Sequence, residues 1–184
     1  AVKLYTEENA DFHQIVADMA NIPRKQAKTI NLGLSYGMGK EKLIKELGID
    51  DTEAENLFQQ YHAKVPFIRA LQDQCARVAM DRGYIRTFAG RRCRFDLWES
   101  RFERSQPLPL EEAKDKYGDD LKRSYTYKAL NRLIQGSAAD MTKLAMIGLW
   151  EEGIVPHLQV HDEVDISIES KEQADTVTRV MVNC

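Results

Sequence analysis

No apolar run in the 184-residue chain approaches the ~20 residues that a membrane span needs, which excludes a transmembrane helix and predicts a chain with no membrane partner. No signal peptide is visible either: the N-terminal stretch "AVKLYTEENADFHQ" is polar from its first residues. Cysteine is scarce and odd in number. Cys75, Cys93 and Cys184 have no metal-ligand spacing, so neither a zinc site nor a disulfide framework is indicated, and reduced thiols in a cytosolic compartment are expected. Common catalytic signatures are missing too: there is no HExxH, no G-x-S-x-G and no paired CxxC. "GMGK" at 37–40 is too short for a phosphate-binding P-loop and closes a helix rather than opening one after a strand. A net charge of −3 argues against indiscriminate nucleic-acid binding but leaves room for a local basic face.

What remains is a soluble, globular composition, 43% hydrophobic and 30% charged, long enough for one domain or parts of two. There is no internal repeat and no low-complexity tract. Helical periodicity runs over 7–20, with Phe12, Ile15, Val16 and Met19 on one side. "NIP" at 21–23 reads as the start of a second helix, Asn21 as its cap and Pro23 in its first turn, running to about Tyr36 and ended by Gly37 and Gly39. Shorter helices are expected over 40–47, from 51 and from 66. A hairpin fits 82–95, a solvated, charge-dense connection fits 105–123, and a long helix fits about 124–150. Two β-rich runs flank His161-Asp162-Glu163. Both ends of the chain read as internal to a longer protein: it does not begin with Met, and "SKEQADTVTRVMVNC" stops within a helical pattern.

Three groups of residues carry chemistry. In "RKQAKTINLGLSYG" (24–37), Arg24, Lys28, Leu32 and Tyr36 recur every four residues and so share one helix face. Twelve steps of ~1.5 Å give a band of roughly 18 Å, comparable to a nucleoside triphosphate. A planar guanidinium fork and a point charge suit phosphates; an aliphatic and a phenol suit sugar and base. Gly33 inside this helix costs about 1 kcal/mol relative to Ala, which close approach of another group would explain. The same pattern also describes an ordinary helix with an incidental basic end and Leu32 and Tyr36 in the core. In "QVHDEV" (159–164), adjacent carboxylates on a hairpin turn are hard oxygen ligands suited to a divalent cation, although an acidic tip in solvent would look alike. In "LNRLIQGSAAD", Asn131 and Gln135 are i and i+4, and their carboxamides can donate to the minor-groove acceptors that every base pair presents. "GSAA" at 136–139 has no bulk, so something packs closely there. A plain helix with two polar rim residues is the alternative. Its apolar face uses Leu130, Leu133, Ile134, Ala138, Met141 and Ala145.

Taken in order, these segments closely resemble the family A DNA polymerases, the bacterial DNA polymerase I type. "RKQAKTINLGLSYG" is similar to that family's motif B on the fingers O-helix, and "QVHDEV" to motif C of the palm. "DFHQIVADM" (11–19) and "GYIRTFAGRR" (83–92) resemble its D-I-H-x-x-T-A and G-Y-V-x-T-x-x-G-R-R segments. The resemblance implies an α+β fragment: a mainly helical fingers subdomain over 1–125 and, over 126–184, part of an antiparallel palm sheet carrying the motif C hairpin. It implies template-directed addition of dNMP to a primer 3′-OH, with two Mg²⁺ ions in the full-length enzyme. Arg24, Lys28, Leu32, Tyr36 and His13 would bind the incoming nucleotide. Asn131, Gln135 and His161 would touch the primer–template minor groove. Asp162 would be a metal ligand and catalytic, with Glu163 beside it and Lys28 a general acid. Implied partners are primer–template DNA and dNTPs, in the cytoplasm of a bacterium or phage-infected cell, with a parent that is monomeric or has a processivity partner.

Departures from the family pattern are specific. Leu32 stands where bacterial members carry Phe and some phage members Tyr. Tyr127 stands four residues before Asn131, where many members have an Arg on the duplex. The D-Y-S-Q-I-E-L-R segment of motif A, with the family's first catalytic Asp, is absent from this sequence, so the chain alone is expected to be inactive. A single-subunit RNA polymerase and a non-catalytic DNA-binding derivative of the fold are the alternative readings.

Overall fold

A computed structural model of the chain describes residues 11–64 and 66–183. Helices dominate, with three small antiparallel sheets, the α+β class expected. The chain divides into two compact units: Ala1–Arg77 with Tyr125–Leu130, and Val78–Ser124 with Asn131–Cys184.

The first unit is helical: α1 (Phe12–Ala20), α2 (Arg24–Ser35), α3 (Lys40–Leu47), α4 (Asp51–Lys64) and the N-terminal part of α5 (Pro66–Arg82). The expected start of α1 before residue 11 lies outside the described residues, as do the side chains of Phe12 and Met19. Asp11 caps α1, its carboxylate accepting from the amides of His13 at 2.9 Å and Gln14 at 3.1 Å. Asn21 does not cap α2 as expected. It takes the left-handed conformation (φ 51°) and closes α1, its amide donating to the Ala17 carbonyl. α2 starts behind Pro23 without a side-chain cap. Gly48 ends α3 in the left-handed region. Val16, Ala27, Ile30, Leu34, Leu43, Leu57 and Tyr61 form one core, with Met38, Phe58 and Ile68 packed against it. Fully burying such a side chain contributes about 1.5–3 kcal/mol, so this cluster holds the unit together.

In the second unit the expected hairpin is β1 (Tyr84–Arg86) with β2 (Arg92–Arg94), Ile85 opposite Cys93. The stretch over 105–123 is not a plain solvated connection. With β3 (Leu97–Ser100) it forms an antiparallel sheet ordered β4 (Leu108–Pro109), β3, β5 (Leu121–Arg123), and α6 (Leu110–Tyr117) bridges β4 and β5. Glu111 and Glu112 in the first turn of α6, and Lys114 and Lys116 in the last, complement the helix dipole. These charges are start and stop signals; their density alone resembles a linker. Arg123 fastens this sheet, its guanidinium 4.3 Å from the Trp98 ring centroid and its Nη1 donating to the Phe95 carbonyl at 2.9 Å.

A 3₁₀ turn at Thr126–Lys128 precedes the long helix α7 (Ala129–Glu151). Leu130, Ala145 and Leu149 are buried, whereas Ile134 and Met141, expected on the apolar face, are about half exposed. β6 (Leu158–Val160) and β7 (Glu163–Asp165) pair antiparallel, and α8 (Lys171–Val182) follows, capped by the Ser170 hydroxyl.

Candidate functional site

The periodicity of α2 sorts its residues cleanly. Ala27, Ile30 and Leu34 are buried, each at 1% exposure or less. Arg24, Lys28 and Leu32 lie on the outer side, Leu32 at 42% exposure, and Tyr36 is half-buried at the C-cap. Leu32 therefore sits outside the core, unlike in the reading of α2 as an ordinary helix. Lys28 meets no carboxylate among the described residues. Arg24 donates from Nε to Asp11 Oδ2 at 2.7 Å and so ties the start of α2 to the start of α1. That guanidinium first, and then the Gln14 and His13 amides, hold the Asp11 carboxyl below its ordinary range.

The end of α2 is also held. Gln72 donates from Nε2 to the carbonyls of Leu34 and Ser35, both at 2.9 Å; the Leu34 carbonyl also accepts from the Gly37 amide at 3.1 Å, so the side chain adds a second bond there and caps the Ser35 carbonyl. A Cβ on Gly33 would stand 1.7 Å from Met38 Cε, so the close approach expected there is that of Met38. His13, on α1, is brought to the same helix: its Nδ1 is 3.0 Å from Asn31 Nδ2. Sequence reasoning missed Asn31. Its only sequence signal is its place next to Leu32 and three residues after Lys28.

In the second unit Asn131 and Gln135 occupy adjacent turns of α7. The small residues after them are explained by the hairpin. A Cβ on Gly136 would lie 2.7 Å from Thr87 Cγ2. Ser137 Oγ accepts from the Phe88 amide at 3.1 Å. Arg91 donates from Nη2 to the Gly136 carbonyl at 2.9 Å and from Nε to the buried Asp140 Oδ1 at 2.8 Å. Asp140 Oδ2 has no hydrogen-bond partner of ordinary geometry. The Thr87 hydroxyl beside the carboxylate, and then Arg91, keep its pKa below the usual range.

With Ile85 and Cys93 turned to one side of the two-stranded ribbon, alternation puts Tyr84, Arg86, Arg92 and Arg94 on the other. The Arg92 guanidinium lies 4.9 Å from the Tyr84 ring centroid and that of Arg86 5.7 Å. None of these three arginines has a carboxylate partner among the described residues. This basic face was missed because the whole-chain charge hides it, although "GYIRTFAGRRCR" contains it.

The motif around Asp162 folds as a hairpin, with one correction. Val160 pairs with Glu163, so the turn is His161-Asp162 alone and Glu163 is the first residue of β7. His161 takes φ 54°, the left-handed conformation that two-residue hairpin turns use, and the Gln159 side-chain amide donates to its carbonyl. His161, Asp162 and Glu163 are all exposed. Their hard carboxylate oxygens suit Mg²⁺. Among the described residues no group of three or more His, Cys, Asp or Glu is arranged to hold a metal. No helix among them is long and apolar enough to cross a membrane.

Residues 3–184 match the family model of DNA polymerase family A. A DNA-directed DNA polymerase of Pseudomonas phage M6 is 36% identical, over 99% of this chain and 30% of its own length. The thermostable DNA polymerase I of Thermus aquaticus is 33% identical, over 95% of this chain and 20% of its own. Among solved structures, the POL domain of Pol1 from M. smegmatis, in complex with DNA primer-template and dNTP, superposes with a TM-score of 0.70 at 28% identity, covering 96% of this chain and 31% of that one. The chain thus spans less than a third of the length of these relatives.

Proposed function

Because the chain belongs to DNA polymerase family A, we propose that it supplies the nucleotide-binding helix and one catalytic carboxylate segment of a template-directed DNA polymerase. The observation that carries this reading is α2: its aliphatic side is consumed by the core, while Arg24, Lys28 and Leu32 stay outside it. Lys28 and Arg24 bind the triphosphate by charge-assisted hydrogen bonds, with His13 on the phosphate side, and Leu32 and Tyr36 pack against sugar and base. Lys28 also protonates the leaving pyrophosphate. Asn131, Gln135 and His161 donate to the minor groove near the primer end, and the Arg86-Arg92-Arg94 face offers cations for DNA phosphates. Residues 1–125 act as fingers and 126–184 as part of the palm.

Family A polymerases are generally dependent on divalent metal. Asp162, with Glu163 beside it, would hold Mg²⁺, which supplies neutralisation of charge on the transferring phosphoryl group. Two adjacent carboxylates are an incomplete set, so the 184-residue chain by itself does not extend primers. The Pseudomonas phage M6 and Thermus aquaticus relatives are DNA polymerases, which favours dNTPs over rNTPs as substrates.

The test is Lys28→Ala in the intact polymerase. Loss of one charge-assisted contact, ~1.5–3 kcal/mol, lowers kcat/KM for dNTP by about 10- to 150-fold and leaves primer–template affinity within about twofold. Unchanged kcat/KM removes the triphosphate assignment. Lys28 is the cleaner probe because Arg24→Ala also releases Asp11.

A further inference from the structure

A chain of hydrogen bonds behind α2 fixes which nitrogen of His13 carries its proton. Tyr61 is 2% exposed, so its hydroxyl must find partners inside the unit. It has two good ones, Asn31 Oδ1 and Ser35 Oγ, both at 2.9 Å. A carboxamide oxygen only accepts, so the single phenolic proton goes to Asn31 Oδ1 and the Ser35 hydroxyl donates to the phenol oxygen. Burial pushes the Tyr61 pKa up, which keeps the phenol protonated, and the Ser35 contact lowers it, as a bond donated to that oxygen does.

With Oδ1 held by Tyr61, the amide nitrogen of Asn31 faces His13 Nδ1 at 3.0 Å. Both hydrogens of that nitrogen are donors, so Nδ1 must present its lone pair. The proton of the neutral imidazole is then on Nε2, across the ring, and no partner for Nε2 exists among the described residues. Asn31 stands one turn from Lys28 and adjacent to Leu32 on the helix read above as the triphosphate site.

We infer that Asn31, locked by Tyr61, is a positioning residue that holds His13 in the Nε2–H tautomer and makes it a hydrogen-bond donor to the phosphates of an incoming nucleoside triphosphate. The inference rests on the reading of α2 as the nucleotide helix. Its gain is electrostatic economy: a neutral imidazole with a free proton on Nδ1 would offer phosphate oxygens a lone pair and repel them. Asn31 removes that state before any nucleotide arrives. Ser35, Tyr61 and Asn31 thereby connect the core of the unit to a side chain on α1.

Nitrogen NMR on the chain with labelled histidine, at pH ~8.5 where histidines in general are neutral, reads the tautomer directly. Wild type shows His13 Nε2 protonated and Nδ1 bare. Asn31→Asp keeps the shape and replaces the donor by an acceptor, so it reverses the tautomer. Tyr61→Phe frees the carboxamide to turn and gives a mixture, with folding of both variants checked by circular dichroism. Titration with dATP, and with deoxyadenosine as the phosphate-free control, gives the second arm. Asn31→Asp weakens dATP by at least about five- to tenfold, the lost hydrogen bond and the added negative charge acting together; Tyr61→Phe, which adds no charge, weakens dATP about twofold, and both leave deoxyadenosine unchanged. A mixed or Nδ1–H tautomer in wild type overturns the inference, since the carboxamide is then not held as described. So does a reversed tautomer with dATP affinity intact while Lys28→Ala still weakens it, in which case the reading of α2 survives alone. If Lys28→Ala also leaves dATP affinity unchanged, the reading of α2 falls and the inference with it.

Discussion

Gly136→Ala tests whether the hairpin is seated on α7 as described. In a helix interior this change ordinarily gains about 1 kcal/mol, because Ala is the better helix former. Here the new Cβ would stand 2.7 Å from Thr87 Cγ2, against the ~3.5–4.0 Å of a good carbon–carbon contact. Thr87 cannot easily yield. It is 4% exposed, its amide donates to the Arg91 carbonyl at 2.9 Å, and its hydroxyl accepts from the Arg91 amide at 3.1 Å. Rotating χ1 would give up that second bond, worth about 1 kcal/mol. Overpacking a tight contact costs about 1–3 kcal/mol. Set against the propensity gain, the balance is a loss of about 1–3 kcal/mol, or roughly 2–10 °C in Tm for a chain of this length. Thermal unfolding followed by far-ultraviolet circular dichroism measures it. Thr87→Ser removes Cγ2 and keeps the hydroxyl, so the double variant should recover most of the loss, a coupling of about 1 kcal/mol or more. Gly33→Ala is the control: its new Cβ would overlap only the terminal methyl of Met38, with Met38 Cβ at an ordinary 3.4 Å, and this unbranched side chain re-orients cheaply, so Tm should move by no more than a few degrees. A Gly136→Ala chain as stable as wild type would falsify the close approach.

Two further outcomes follow from α2. Leu32 offers an incoming nucleotide no hydroxyl to stand in for a missing 3′-OH, so the intact polymerase should discriminate against dideoxynucleotides, and Leu32→Tyr should relax that selectivity about tenfold, the worth of one hydrogen bond; equal selectivity in a ddNTP/dNTP competition refutes it. The second concerns acid. The Asp11 carboxyl is held below its ordinary value by Arg24 and the amides it caps, so its stabilisation of the α1 start is present above the unfolded carboxylate value of ~3.9 and is lost as pH falls through the lowered one. The amide resonances of His13 and Gln14 should shift at a lower pH than in a peptide of residues 8–20, and Arg24→Ala should narrow the gap between the two midpoints; coincident midpoints in wild type would sink the linkage.

The parts of the fold that the sequence made legible are those in which one short-range signal acts alone. Lys40–Leu47 ends at a glycine in the left-handed conformation, and the hairpin at 84–94 closes through a turn in which the Gly90 amide donates to the Thr87 carbonyl, one residue before the expected Ala89-Gly90. Where two signals competed, reading failed. Asn21 serves equally as an N-cap or as a left-handed closing residue, and the φ of 51° shows that the preceding helix claimed it. The segment 105–123 is charged because α6 is a surface helix with complementary ends, yet only pairing of β3 with β4 and β5 distinguishes it from a linker. That pairing is non-local, and no window of sequence contains it.

The candidate site divides along the same line. Positions 24, 28, 32 and 36 were visible because a helix face is a local property. Asn31 and Tyr61 were not, since their partnership joins residues 30 apart, and a lone Asn in a helix or Tyr in an amphipathic stripe has no signature of its own. The glycines lie between these cases. Gly33 and Gly136 each announced that something approaches closely, because a glycine in a helix interior needs a reason. Neither could say what: for Gly33 it is the flexible end of Met38, five residues on, and for Gly136 a stiff threonine on another element 49 residues away. The difference matters to mechanism. At Gly33 the neighbour is a side chain that can re-orient without moving α2, which the core holds through Ala27, Ile30 and Leu34. A contact with a buried, branched side chain, reinforced by Arg91 to the Gly136 carbonyl and to Asp140, fixes the hairpin on α7 and with it the outward face of Arg86, Arg92 and Arg94. The helix that would grip a changing substrate thus meets a yielding side chain at its glycine, and the surface that would track a uniform phosphate backbone meets a stiff one at its own.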